Sequence, residues 1–243
     1  CPEQDVTPPM QIDVLTLFPE MFAGVLGSSI LKRASEAGRV SYHLTDIRAY
    51  TTSKHGKVDD RPFGGGPGMV MACQPLWDAV AAVETMDEQP ATRILMSPQG
   101  RPLTQRTCER LAERDRLLII AGHYEGIDER VIERLDPEQI SIGDYVLSGG
   151  ELPAMVLIDT VVRLIPGVLG HDESAHHDSF SPGAERLLDC PHYTRPAEWE
   201  GMQAPDVLMS GDHAAIERWR KDQARQRTAE RRPDLMEGMA SDE

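Results

Sequence analysis

The sequence predicts an α/β fold in which a mainly parallel sheet carries helices on both faces, followed by a small all-helical domain at the C-terminal end. Three observations support this prediction. Apolar strand-like runs alternate with helical patterns from residue 10 to residue 165. These strands are continuous apolar runs, which is typical of a parallel sheet that is buried on both faces. After residue 170 the alternation stops, and helical spacing returns only towards the C-terminus.

The alternation begins with an apolar strand and a helix that starts at Pro19 and ends at Gly38, because proline suits the first helical position and glycine suits a helix end. The predicted strands are 10–18, 40–47, 92–97, 116–122 and 139–147. The predicted helices are 19–38, 75–86, 103–114, 128–135 and 151–165. Near the C-terminus, Asp212 is placed to cap a further helix that runs to about residue 232.

The same pattern divides the chain into four parts. Residues 1–9 are predicted to be a disordered extension, and residues 10–169 form the α/β domain. Residues 170–187 are polar, rich in histidine and interrupted by glycine and proline, which indicates a flexible linker. Residues 188–243 form the helical domain. A membrane span and a signal peptide are both absent from the sequence pattern, so a cytoplasmic location is expected.

Charge gives two opposing indications about partners. The formal net charge of −15 argues against a nucleic-acid partner, because phosphates are bound through lysine and arginine. Between Ile216 and Arg232, however, there are seven basic residues and only three acidic ones, which makes this segment the clear basic concentration of the chain. A phosphate-binding surface and an ordinary solvated helix face with i,i+4 ion pairs both account for it. The four cysteines are scattered without a CxxC pair and are predicted to be free thiols.

Several familiar motifs are incomplete. The glycine run at 61–69 lacks the Lys-Ser/Thr of a nucleotide-hydrolase loop, and Pro67 removes an N–H that a phosphate cradle would use. A GxGxxG after the first strand and a GxSxG are also missing, which argues against a dinucleotide-binding fold, the common methyltransferase fold and a serine hydrolase. A metal could be held by four ligand-type residues in the histidine-rich segment after residue 170, although their spacing matches no known metal-binding framework. These residues are His171, His176, His177 and Asp178.

Glycine-rich loops recur after three late strands, at 97–100, 121–126 and 141–153. In a parallel sheet the loops after the carboxyl ends of neighbouring strands meet at one crevice, where such sheets bind ligands. Glycine allows close approach of the backbone, so main-chain groups there can hold a planar ligand such as adenine. Three ordinary turns would explain each loop separately, but explain their combination poorly.

Nine motifs in order carry the sequence beyond this general pattern. They are LFPEMF, DDRPFGGGPGM, SPQGRPL, GHYEGIDERV, SIGDYVLSGGELPAM, IPGVLG, DSF, LLDCPHYTRP and SGDHAAIERWR. With them the chain resembles the bacterial tRNA (guanine-N1)-methyltransferase family TrmD of the SPOUT superfamily, from Met10 to about Arg232. The resemblance implies S-adenosylmethionine as methyl donor and N1 of the guanosine at tRNA position 37, just 3′ of the anticodon, as acceptor. It also implies a homodimer and a C-terminal trefoil knot in the α/β domain, which periodicity could not have indicated.

The resemblance assigns roles to particular positions. Donor binding falls on Pro98, Gly122, Ile142, Gly143, Asp144, Tyr145, Val146, Leu147, Gly149 and Gly150. The general base falls on Asp178, the charge-stabilising arginine on Arg163, and a further active-site carboxylate on Glu125. Magnesium, on which the family depends, could be held by Glu125 and Asp178. Phosphate contacts to tRNA are expected from Arg218, Arg220, Lys221 and Arg225.

The chemistry of the reaction asks for the same residue types. Guanine N1 must lose its proton to become a good nucleophile, which suits a carboxylate such as Asp178, and the charge that builds on O6 suits the guanidinium of Arg163. Since Asp178 lies in the predicted linker, we expect a site that is completed when this segment orders around tRNA, and one that is shared between the subunits of the dimer. Trp219 is predicted to be a core residue rather than a base-stacking one. His123 stands where other members have arginine, and the C-terminus is shorter than in many relatives.

Two alternatives stay open. A SPOUT methyltransferase that acts on another RNA would carry the same donor loops. An RNA-binding protein could keep a donor pocket without turnover, although the presence of Asp178, Arg163 and Glu125 argues against it. No protein partner other than a second copy of the chain is predicted.

Overall fold

The structure is a computed structural model that describes residues 8–170 and 177–239. The chain divides into two units, Cys1–Gly170 and His171–Glu243, and each is considered by itself. In the described ranges no helix is both long enough and apolar enough to cross a membrane. The predictions for residues 1–7, and those for His171 and His176, lie outside the described residues.

Strands of the first unit form a five-stranded parallel sheet and a short antiparallel ribbon. The strands in chain order are β1 Met10–Thr16, β2 Val40–Asp46, β3 Asp59–Asp60, β4 Val70–Met71, β5 Thr92–Pro102, β6 Arg116–Ala121 and β7 Glu138–Ser141. The sheet order is β2-β1-β6-β5-β7, and every neighbouring pair in it is parallel. β3 and β4 pair as the ribbon. The prediction of a mainly parallel sheet is confirmed.

Helices cover both faces of this sheet. In the first unit they are α1 Ala23–Leu26, α2 Ser29–Glu36, α3 Cys73–Glu84, α4 Gln105–Ala112, α5 Glu129–Leu135 and α6 Glu151–Val162. Along the fully buried β6, Leu117 and Ile119 point to a core shared with α2, α4 and α6. Leu118 and Ile120 point to a second core shared with α3 and α5. Successive side chains of a strand face opposite ways, so one apolar run supplies both cores.

Three predicted elements were wrong in extent. The strand expected at 92–97 continues to Pro102 as β5. The helix expected at 19–38 is a 3₁₀ turn at Pro19–Phe22 followed by α1 and α2, because the backbone is extended at Ser28 between the two helices. The strand expected at 139–147 ends at Ser141. The Ser141 hydroxyl accepts a hydrogen bond from the Gly143 N–H at 3.2 Å, which turns the chain out of the sheet and leaves 142–147 as a loop.

A buried ion pair joins β1 to β6. The Arg116 guanidinium, on a residue that is 1% exposed, donates to the Asp13 carboxylate at 2.8 Å. It also donates to the backbone carbonyls of Val83 at 2.7 Å and Gln89 at 3.0 Å. The other Asp13 oxygen contacts His43 Nδ1 at 3.1 Å. One buried arginine therefore ties two central strands to the end of α3 and the loop after it.

The second unit contains short strands as well as helices. Its elements are β8 Glu198–Trp199, β9 Met202–Gln203, α7 His213–Arg231 and α8 Pro233–Met239. The prediction of an all-helical domain is corrected by the β8–β9 hairpin. Asp212 caps α7 as predicted, accepting the Ala215 N–H at 3.0 Å. Trp219 is half-buried, with its ring centroid 6.2 Å from that of Tyr193.

The segment before the hairpin folds against α7. The Leu188 N–H donates to the Thr228 hydroxyl at 3.0 Å, and Thr228 is fully buried. Ser181, Leu187 and Cys190 are also buried in this unit. The predicted domain boundaries stay predictions, while Cys73, Cys108 and Cys190 are free thiols as expected.

Candidate active site

A cavity of about 280 Å³ opens where the glycine-containing bulge of β5 at residues 97–100 meets the loops that follow the carboxyl ends of β6 and β7. This volume lies near the lower end of the range for small-molecule sites. Nine of the ten positions that the family resemblance assigns to the methyl donor line it, and Asp144 does not. The nine are Pro98, Gly122, Ile142, Gly143, Tyr145, Val146, Leu147, Gly149 and Gly150. Glu125 lines the same cavity.

The first wall comes from an irregularity in β5. Both Met96 and Arg101 pair with Ile140 of β7, so residues 97–100 leave the sheet between them. This bulge places Pro98 in the cavity without ending the strand.

The second and third walls touch each other through Gly150. Its N–H donates to the Gly122 carbonyl at 2.8 Å. A side-chain carbon at Gly150 would lie 2.7 Å from the Ala121 Cα and 2.8 Å from the Gly122 nitrogen, closer than real contacts allow. The glycine therefore lets the strand end of β6 and the start of α6 approach closely. The ligand contact predicted for the Gly149-Gly150 backbone stays a prediction.

The third wall, residues 142–147, presents apolar side chains to the opening. Tyr145, Val146 and Leu147 are all exposed, and the Tyr145 hydroxyl donates to the Ile142 carbonyl at 3.2 Å. Apolar side chains beside bare backbone are what a planar ligand with polar edges requires. The wall can thus cover a purine face while main-chain groups bind its edge.

A buried carboxylate beneath the cavity was missed by the sequence analysis. Glu151, the first residue of α6, accepts a hydrogen bond from the Thr16 hydroxyl at 2.6 Å, and its second oxygen lies 2.6 Å from His123 Nε2. Thr16 and Glu151 are almost fully buried. His123 also bridges the backbone of Gly149. The helix N-terminus favours the negative charge there, and the network holds two pocket walls together. A threonine at the end of an apolar strand and a glutamate that starts an apolar helix were the available signals.

Glu125 is exposed at the rim of the cavity, beside the phenol of Tyr124. The Glu125 N–H donates to the Met69 carbonyl at 3.0 Å, which ties the second wall to β4. Partial burial raises the pKa of Tyr124, and the Asp59 carboxylate adds to the shift. The phenol is therefore an uncharged O–H donor at neutral pH.

Two predicted catalytic residues are not among the first unit's residues that line this cavity. Arg163 lies in the first unit but away from the cavity, and Asp178 belongs to the second unit. Arg163 follows the last residue of α6, whose 12 residues separate it from Gly150 by about 18 Å at 1.5 Å per residue. It is half-buried and does not line the cavity. Asp178 belongs to the second unit, where it is half-buried and its carbonyl accepts the Ser181 N–H at 3.1 Å. Their catalytic roles stay predictions.

The predicted tRNA contacts lie on α7. Arg218, Arg220, Lys221 and Arg225 are all exposed. Lys221 pairs with Glu217 at 3.2 Å and Arg225 with Glu185 at 3.0 Å. Both interpretations of this helix therefore find support, since two cations carry surface ion pairs and all four remain accessible to phosphates.

Three ligand-type residues of the second unit lie close together. Among residues 8–170 and 177–239, three ligand atoms within 4.8 Å of one another come from Asp189, Cys190 and His192. Burial raises the pKa of the Cys190 thiol, and Asp189 adds to the shift, so the thiol is protonated at neutral pH. The predicted magnesium ligands Glu125 and Asp178 stay a prediction.

Comparison with known proteins gives consistent matches. The family model described as tRNA (Guanine-1)-methyltransferase TrmD matches residues 10–238. A tRNA (guanine-N(1)-)-methyltransferase of Shouchella clausii is 56% identical over 229 residues, which cover 94% of this chain and 92% of that protein. The protein of the same name from Halalkalibacterium halodurans has the same identity and coverage. One from Bacillus cereus is 55% identical over 228 residues, with 94% and 92% covered.

Proposed function

Because the chain belongs to the tRNA (guanine-1)-methyltransferase family TrmD, we propose that it methylates N1 of the guanosine at tRNA position 37, with S-adenosylmethionine as donor. The observation that carries the proposal is the cavity in which three loops after neighbouring strands bring together nine of the ten assigned donor-binding residues. These residues fit the donor, because backbone groups and apolar side chains suit an adenosine.

Different residues have different roles in the proposed reaction. S-adenosylmethionine, when bound, supplies an electrophilic methyl group. The loop 142–147 and the Gly149-Gly150 backbone hold its adenosine part and orient the methyl group, and orientation accounts for much of the rate of such a displacement. Asp178 takes the proton from guanine N1 as N1 attacks, and Arg163 stabilises the negative charge on O6. Magnesium, when bound, would be held by carboxylate oxygens of Glu125 and Asp178 and would neutralise negative charge at the site.

The test of this function is nucleoside analysis by mass spectrometry after incubation with tRNA and donor. We expect N1-methylguanosine from a tRNA with guanosine at position 37, and none from the same tRNA with adenosine there. Methylation of a different nucleoside would favour the alternative that another RNA is the substrate. Binding of donor and tRNA without any methylation would favour the non-catalytic alternative.

We further propose that the active site is shared in a homodimer. The length of α6 separates Arg163 from the donor cavity of its own chain, so a second copy is the simplest source of the arginine, and the same copy would bring its own Asp178. An apolar surface supports this: Met21, Val25, Leu152 and Val156 are 43%, 40%, 50% and 42% exposed. Met21 and Leu152 line one small cavity. Val25 lies four residues after Met21, and Val156 lies four residues after Leu152. Isolated monomers rarely expose such a surface.

Val156→Glu is expected to convert the dimer into monomers, because the substitution would bury a charge without a partner in the interface. Sedimentation equilibrium at micromolar concentration measures the mass. Met86→Glu is the control, since Met86 is an exposed apolar residue on another part of the unit. A Val156→Glu protein that keeps the mass of the unsubstituted dimer would contradict the proposed interface.

The remaining finer features belong to the same proposal. They are the trefoil knot, tRNA binding by residues 188–243 after a linker at 170–187, and a cytoplasmic location. The exposed cations of α7 support tRNA binding by the second unit even though the whole chain is acidic.

A further inference from the structure

A loop with an unusually exposed aromatic side chain lies beside the donor cavity. We name residues 61–69 the glycine loop. The Phe63 side chain in it is 96% exposed. All four of its glycines, at 64, 65, 66 and 68, have positive φ values, which are 85°, 78°, 111° and 81°. Such a backbone holds the loop in a shape that other residues adopt only with strain.

The glycine loop is anchored to the rim of the cavity. Its two ends are joined by the β3–β4 ribbon, in which Asp60 pairs with Val70. The Met71 N–H donates to the Gly126 carbonyl at 2.9 Å, next to the bond from Glu125 to Met69 described above. A side-chain carbon at Gly68 would lie 2.3 Å from a Glu125 carboxylate oxygen, so the loop backbone packs directly on that side chain. The exposed ring is therefore presented from the edge of the site.

Exposed cations lie close to Phe63 along the chain, and Asp59 and Asp60 lie between them. Lys54, Lys57 and Arg61 are exposed in and before the loop, in a chain whose net charge is −15. Lys57 lies 3.2 Å from Asp60, which offsets part of this charge. The positive charge of Arg48 lowers the pKa of Tyr124 at the cavity rim and so offsets part of the rise that burial causes. This second group of cations was missed by the sequence analysis, which found only the group at 216–232.

We propose that Phe63 stacks on a base of the tRNA anticodon loop next to the target guanosine, while Arg61 and the neighbouring lysines contact its phosphates. An aromatic ring beside accessible cations is the usual way in which proteins bind unpaired nucleotides. A protein partner would instead require an apolar surface around the ring, whereas Phe63 is followed by three glycines with open space at their Cβ positions. The inference rests on the proposed function, which brings the anticodon loop to this cavity.

Steady-state kinetics of a substitution series at Phe63 test the proposal. Phe63→Ala is expected to lower kcat/KM for tRNA about 5- to 150-fold, the range for loss of one base stack. Phe63→Leu should lose as much because it lacks a ring, and Phe63→Trp should stay within about twofold of the unsubstituted protein. Donor affinity, measured by calorimetry with S-adenosylhomocysteine, should not change. Met86→Ala, another exposed apolar residue, is the matched control.

The outcomes separate this inference from the proposed function. If the unsubstituted protein does not methylate tRNA, the proposed function fails. If it does and Phe63→Ala methylates equally well, the stacking role is overturned. Full activity of Phe63→Leu would also overturn it, because apolar contact would then suffice. A change in the oligomeric mass of Phe63→Ala would assign the ring to a protein contact instead. Folding does not confuse the result, since the side chain is almost entirely in solvent.

Discussion

Replacing Asp178 with asparagine is expected to lower the rate of methyl transfer about 10²- to 10⁴-fold, the usual contribution of a general base. Asparagine keeps the shape of the side chain but cannot accept the N1 proton. Donor affinity should be unchanged, because the proposed role of Asp178 is towards guanine N1 and not towards the donor. Single-turnover rates and calorimetry with S-adenosylhomocysteine measure the two quantities.

Asp206→Asn provides the matched control, since Asp206 is an exposed carboxylate in the same unit as Asp178. Its rate should match that of the unsubstituted protein. If Asp178→Asn loses donor affinity in proportion to rate, the carboxylate holds the donor and is not the base.

Mixed dimers extend the test to the shared site. One subunit carries Asp178→Asn, and the other carries Leu147→Arg, which places a bulky charge in the donor cavity. With a shared site, the intact cavity of the first subunit meets the intact Asp178 of the second, so each mixed dimer regains one active site. Each variant alone should be inactive. Mixed dimers without activity would show that cavity and base come from one chain.

Replacing Arg116 with methionine is expected to lower the free energy of unfolding by about 3–5 kcal/mol, because it leaves the Asp13 carboxylate buried without its main partner. The backbone carbonyls that the guanidinium binds also lose their donor. Urea denaturation with an unchanged m-value measures the loss. The double variant Arg116→Met, Asp13→Leu should recover much of it, since replacing both charges by apolar groups removes the unpaired carboxylate.

Arg93→Met is the control for this prediction. Arg93, on β5 of the same sheet, pairs with Glu84 of α3 at 2.6 Å, but the Arg93 side chain is 33% exposed. A partly exposed pair is expected to contribute about 1 kcal/mol or less. An Arg116→Met variant that loses no more stability than Arg93→Met would show that burial does not strengthen the Asp13 pair.

Patterns of short range predicted most of the fold correctly. The strand at 116–122 could be placed because six consecutive residues are buried in the sheet, and the cap at Asp212 because one side chain satisfies a nearby N–H. Errors arose where a local interaction interrupts a longer pattern. The extended backbone at Ser28 breaks the first helix, and the Ser141–Gly143 hydrogen bond ends β7 early. The hairpin in the second unit has strands of two residues, too short to show periodicity.

For the site, the sequence identified the glycine loops and, through the ordered motifs, the family, which the comparisons confirm. It missed the network of Thr16, Glu151 and His123, in which residues separated by 135 positions meet. It also missed the cations around the glycine loop, because Lys54, Lys57 and Arg61 do not form an obvious run.

The sequence by itself determined the class of fold, the three loops and the family, since each depends on residues that lie close together along the chain. The sequence also predicted that these loops meet at one crevice, and the structure confirms it. Only the tertiary structure decided that Gly150 lies against Ala121 and Gly122, and that α6 separates Arg163 from the donor cavity. The physical reason is that periodicity describes how one segment packs, whereas distances between segments depend on strand order. In the order β2-β1-β6-β5-β7, the strands that carry the three loops become neighbours.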